Sequence, residues 1–262
     1  MSRYFELMQQ AGFEVDTSQP SQSASPRQPS QPPKPAGAPP AAKVTQGARP
    51  LRVDQMAYEE ALKLVQRVFL AETPTAPRAV VFAAIDKGGG CSQVAARVAE
   101  SLTNQVRGSI CLVEANFRSP SLPELFGTTN HYGLSDALLN AGAIREFAKP
   151  LYSENLWLLS SGSLPAGSSG LLNSERMKTR MGELRDQFDY LVIDAPPLTR
   201  YADAMTLGQL ADGLVLVLEA NATRREVAQS IAANLQSAKV RMLGAVLNKR
   251  TYPIPEAIYR KV

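Results

Sequence analysis

The chain has 262 residues, 44% of them hydrophobic, which suffices for one large α/β domain or two small ones around a substantial core. Two cysteines, Cys91 and Cys111, suit a reducing compartment, and His131 as the only histidine excludes a clustered histidine metal centre. The formal charge of +4 matches that of residues 17–50, which carry Arg27, Lys34, Lys43 and Arg49 and no acidic residue; the other 24 basic and 24 acidic residues balance, so no folded face reads as nucleic-acid binding.

Residues 1–15 carry a partial apolar stripe (Tyr4, Phe5, Leu7, Met8, Ala11) and read either as a short docking helix or as a frayed terminus. They lack the long apolar stretch of a secretory signal, and no apolar run approaches the ~20 residues of a membrane span. The expectation is a cytoplasmic protein without a span of its own. Residues 16–52 form a Pro/Ser/Gln-rich linker that cannot bury enough surface to fold, nine of the 19 prolines falling within 17–50.

A folded domain is predicted over 53–250. It opens with a helix at 53–71, for which Asp54 is the candidate cap. Strands follow at 79–84, 109–114, 155–160, 190–194, 213–219 and 243–248, with helices at 92–106, 171–187 and 223–238. Short, continuously apolar strands alternating with helices imply a doubly wound α/β domain on a mainly parallel sheet flanked by helices in three layers. Residues 251–262 form a C-terminal tail.

The stretch AAIDKGGGCSQVA at 83–95 places glycines between a strand and a helix. In a phosphate loop successive backbone N–H groups and a helix N-terminus converge on one anion, a lysine adds a point charge, and a Ser/Thr hydroxyl binds Mg²⁺. Gly88, Gly89 and Gly90 supply the glycines and Ser92 the hydroxyl, followed by Gln93, but Cys91 stands where the lysine belongs. Lys87, four residues earlier, either folds back over the phosphates or points into solvent. At a helix N-terminus the Cys91 thiol is expected to have a lowered pKa.

Several segments, in order, resemble the cytoplasmic domain of bacterial tyrosine autokinases of the CpsD/CapB type, within the MinD/ParA-like P-loop ATPases. They are CLVEANFRSPSLPELFG (111–127), HYGLSDALL (131–139), LLNSERMKTRMGELRDQFDYLVIDAPP (171–197), DGLVLVLEA (212–220) and LGAVLNK (243–249). The resemblance implies an ATP or ADP site with Mg²⁺ and carries roles to particular positions. Asp194 would be the strand-end aspartate that holds Mg²⁺ together with Ser92. Glu114 stands at the first aspartate of the family's second acidic motif and, with Asp194, is a candidate catalytic carboxylate. Asn116 stands at that motif's second aspartate, without its charge. Arg118 and Asn248 join the loop as nucleotide-binding candidates, Asn248 on the adenine side.

Three of the four charged positions of the family's site are thus altered. Glu60, Lys63 and Gln66 replace the family's oligomerisation pattern, and the terminal tyrosine cluster is reduced to Tyr252 and Tyr259, the candidate phosphotyrosines. Phosphoryl transfer depends on positioning and on neutralising charge, and both are weakened. The expectation is a catalytically impaired relative, a regulator or scaffold in the synthesis or export of a cell-surface polysaccharide. It would lie peripheral to the inner membrane through a membrane-embedded chain-length or export partner, with self-association open. The rivals are an active autokinase or ATPase rewired through Lys87, and a MinD/ParA-like positioning ATPase.

Overall fold

A computed structural model describes residues 48–51, 54–71, 76–163 and 170–250. The expected docking helix, nearly all of the linker, and the tail with Tyr252 and Tyr259 lie outside the described residues.

The strands owe their place to apolarity on both faces. β1 (Ala79–Ala84), β2 (Ile110–Glu114) and β5 (Tyr190–Ala195) are buried along almost their whole length, as interior strands of a covered parallel sheet must be. Seven strands form one sheet in the order β3-β4-β2-β5-β1-β6-β7, with β3 (Lys149–Pro150), β4 (Leu156–Leu159), β6 (Gly213–Glu219) and β7 (Met242–Asn248). All pairings are parallel except β3 with β4. The β3 strand was not apparent from the sequence, because two residues carry no periodicity.

Side chains alternate along each strand and so build two cores. Val80 and Phe82 of β1, with Leu112, Val192 and Val215, pack against α1 (Gln55–Val68) and α2 (Cys91–Thr103). Val81 and Ala83, with Val113, Ile193 and Leu214, pack against α5 (Glu175–Gln187), α6 (Asp203–Leu210) and α7 (Arg225–Ser237). The α2 face is built from Ala95, Val98, Ala99 and Leu102, and its small alanines let the helix approach the sheet. Asp54 caps α1, accepting from the Ala57 N–H at 3.2 Å, as its position predicts. The helix expected over 171–187 is interrupted: a 3₁₀ turn spans Leu171–Asn173, and Ser174 then caps α5 by accepting from Met177. Two short helices, α3 (Leu122–Leu125) and α4 (Leu134–Leu139), complete the domain, and the G-L-S-D segment is the start of α4.

Buried Arg180 of α5 ties α4 down. Its guanidinium donates to the carbonyls of Ala137 (2.8 Å), Asn140 (2.7 Å) and Gly142 (2.8 Å) and pairs with Glu183. Arg180→Ala would remove the guanidinium that holds the buried Ala137 carbonyl and the Gly142 carbonyl, leaving Asn140 with Arg176 alone. It is expected to cost about 3 kcal/mol in urea unfolding, against less than ~0.5 kcal/mol for exposed Lys178→Ala on the same helix.

Candidate functional site

The C-terminal ends of β1, β2, β5 and β7 converge, and the strand order changes direction around β1, the place where open α/β sheets bind ligands. β1 runs into the glycine loop. Gly88 (φ 94°) and Gly90 (φ 78°) occupy the left-handed region, which a side chain would strain, and α2 starts directly after Gly90. A Cβ on Gly90 would also run into the Asn248 side-chain amide, which donates to the Gly89 carbonyl at 2.9 Å. Asn248, expected beside an adenine, is here a brace on the loop.

The loop is also pinned from β5. After Pro196 and Pro197 the chain doubles back, Leu198 N–H donating to Ala84 and Thr199 N–H to Ile85. The Thr199 hydroxyl contacts Asp86 at 2.7 Å. The loop therefore keeps its shape through bonds that involve no ligand.

Ser92, in the first turn of α2, donates to Asp194 Oδ2 at 2.5 Å, which joins the two expected metal-binding positions. Asp194 is fully buried, and its Oδ1 has no hydrogen-bond partner among the described residues. Glu114 faces Asp194 across the parallel β2–β5 register. One of its oxygens accepts from the N–H groups of Ser121 and Leu122, both at 2.8 Å, so it serves as cap for α3; the other is buried and unpartnered. That geometry differs from an open base awaiting a substrate hydroxyl. Burial, followed by the mutual proximity of the two carboxyls, pushes Glu114 well above the usual carboxylate range, and burial raises Asp194. Of the two, Glu114 is displaced further and so keeps its proton to higher pH than Asp194.

Cys91 overturns one expectation. Its side chain is buried within the α1–α2 core and close beside Asp194, not exposed at the loop. Burial, and then the adjacent Asp194, push its thiol well above the ordinary value, so the helix N-terminus does not generate a thiolate. The desolvation cost outweighs the dipole. Lys87 and Gln93 are exposed, and the Lys87 side chain makes no hydrogen bond or ion pair among the described residues. Arg118 lies 4.1 Å over the Tyr201 ring and 3.8 Å from Asp203, directed at α6. Asn116 donates to the Ser119 carbonyl, its oxygen buried and unpartnered.

One neighbour was missed by sequence reasoning. Lys249, next to Asn248, reaches Glu219 Oε1 at 3.0 Å beside the loop. The signal was the residue following V-L-N, a position at which only the asparagine drew attention. Glu219 also lines a cleft of about 380 Å³ with Leu218, Arg225 and Leu247.

The ParA family model described as NUBPL iron-transfer P-loop NTPase matches residues 77–260. The tyrosine-protein kinase YwqD of Bacillus subtilis is 31% identical over 171 residues, 65% of this chain and 72% of that protein. The chain belongs to the bacterial tyrosine-kinase family of ParA-type P-loop NTPases. The tyrosine-protein kinase Wzc of Salmonella typhimurium is 31% identical over 159 residues, 60% of this chain but 21% of that much longer protein. Among solved structures, the kinase domain of the Escherichia coli tyrosine kinase ETK superposes with a TM-score of 0.70 at 20% identity, covering 81% of this chain and 87% of that one. At that identity the likeness concerns the fold. No helix among the described residues is long and apolar enough to cross a membrane.

A carboxyl pair with raised pKa values favours the folded state fully below the unfolded value near 4 and loses that contribution as pH rises through the folded values. Unfolding free energy is therefore expected to fall by about 1 kcal/mol per pH unit as pH climbs from 5 into the alkaline range, seen as a falling melting temperature. Glu114→Gln, whose amide mimics the protonated acid, is expected to flatten that slope in thermal denaturation series.

Proposed function

We propose that this chain is a catalytically impaired member of the tyrosine-kinase family, acting as a regulator or scaffold in the synthesis or export of a cell-surface polysaccharide. The observation that carries the reading is Cys91: at the position of the phosphate-gripping lysine stands a neutral, buried thiol turned into the core. Glu114 supports it, since its outward oxygen is spent on the backbone of α3. Phosphoryl transfer needs charge neutralisation at the transferring group, and loss of one such contact costs several kcal/mol.

The residues still suit a nucleotide with its Mg²⁺. Ser92 and Asp194 are hard oxygen donors at one helix start, and Asp194 Oδ1 lacks a partner. These two would hold the ion, whose charge would offset that of the phosphates. The glycine loop and the α2 N-terminus would orient the phosphates. The R-S-P-S-L and G-L-S-D segments support the polysaccharide setting, and a membrane-embedded chain-length or export protein as partner. Residues 1–15 and the linker would then dock the domain, cytoplasmic and peripheral, onto that partner; Tyr252 and Tyr259 are the tyrosines open to phosphorylation.

The test incubates the full chain with Mg·ATP and follows phosphate release and phosphotyrosine immunoblots. Expected is turnover at the no-protein blank, ~100-fold or more below a family member with its lysine intact. Hydrolysis above blank that disappears in Lys87→Ala would replace this reading with a rewired enzyme.

A further inference from the structure

We infer that Lys249, rather than Lys87 or any residue of the loop itself, is the cation that this site offers to the phosphates of a nucleoside di- or triphosphate. The inference deepens the reading above and rests on it, because it takes the glycine loop as the place where phosphates sit.

Its geometry comes from the way β7 ends. Asn248 is bonded to the Gly89 carbonyl, so the strand terminus is clamped onto the loop. The next residue, Lys249, sits in the left-handed region (φ 56°), an uncommon conformation for a residue with a side chain. Its Cε lies 3.9 Å from where a Cβ on Gly90 would project, so the aliphatic stem passes over the very glycine that precedes α2. The absence of a side chain at Gly90 is thus a spatial requirement of the Asn248 amide as well as of the backbone, while Lys249 lies over it at van der Waals distance.

At the end of that stem the ammonium group pairs with Glu219 at 3.0 Å, with the two side chains 47% and 29% exposed. A half-exposed ion pair of this kind holds loosely, and an ammonium can exchange one oxyanion for another without being drawn from a buried position. Lys87 contrasts with it, being exposed with no contact that directs it to the loop.

A second observation marks this helix start as a ligand site, independently of its dipole. Asp194 is fully buried, bonded to Ser92 in the first turn of α2, and keeps one oxygen without a partner among the described residues. A buried acceptor left unsatisfied at the same turn fits the hydrated cation that accompanies a polyphosphate. Cationic lysine on one side and anionic acceptor on the other match the two charges of a metal–nucleotide complex.

Calorimetric titration of the full chain with Mg·ADP and Mg·ATP tests the assignment, using Lys249→Met, Lys249→Arg and Lys87→Ala. Circular dichroism of each variant confirms the fold, which an exposed side chain should not disturb. The expected result is a roughly tenfold weaker Kd for Lys249→Met, substantial retention in Lys249→Arg, and no change beyond threefold in Lys87→Ala. Inorganic tripolyphosphate, titrated in parallel, should show the same dependence on Lys249 if the contact is to phosphate. Affinity in Lys249→Met within threefold of the unaltered chain overturns the assignment. So does the absence of binding by the unaltered chain up to millimolar nucleotide. Neither outcome touches impaired catalysis, which is read from phosphate release; conversely, measurable turnover would sink that reading and leave the affinity result standing.

Discussion

Two carboxyl groups at the ends of adjacent buried strands, with no ammonium at position 91 of the loop above them, set the terms for this site. Glu114 and Asp194 face each other across β2 and β5 in an apolar sheet, where two uncompensated negative charges would be costly. With Cys91 neutral, no cation at that position offsets the pair, and burial pushes both carboxyls toward their uncharged forms. Cysteine in the loop and the raised carboxyls beneath it belong to one electrostatic arrangement. It suits a domain that keeps a nucleotide-site shape without the charges that drive transfer.

That shape is held by contacts independent of any ligand. The left-handed glycines permit the turn, Asn248 grips the Gly89 carbonyl, and Thr199 bridges from the β5 exit to Asp86. Ser92 then fastens the start of α2 to β5. The links come from the ends of β5 and β7, on either side of β1 in the sheet, so the loop is positioned by the sheet order itself. Altered residues within it can be tolerated while the loop keeps its conformation.

The fold was largely legible in the sequence because six apolar runs alternate with helices, most of them continuously apolar as covered parallel strands must be, with β7 an exposed edge strand. The family was legible for a different reason: R-S-P-S-L, G-L-S-D and the Asp194 strand end keep their order and spacing even where individual charges have changed. What stayed hidden were short elements such as β3 and α3, whose existence depends on a neighbour: β4 for the one, the Glu114 cap for the other.

For the site, sequence alone determined which residue types were missing: no lysine at Cys91, no charge at Asn116, glutamate at 114. Direction was beyond its reach. Only the tertiary structure turned Cys91 into the core, bent Glu114 onto the α3 backbone, sent Arg118 over Tyr201 and laid Lys249 across Gly90. The reason is physical. A side chain's orientation and ionisation are decided by the desolvation and partners that distant strands bring to it, and chain order carries no record of those distances.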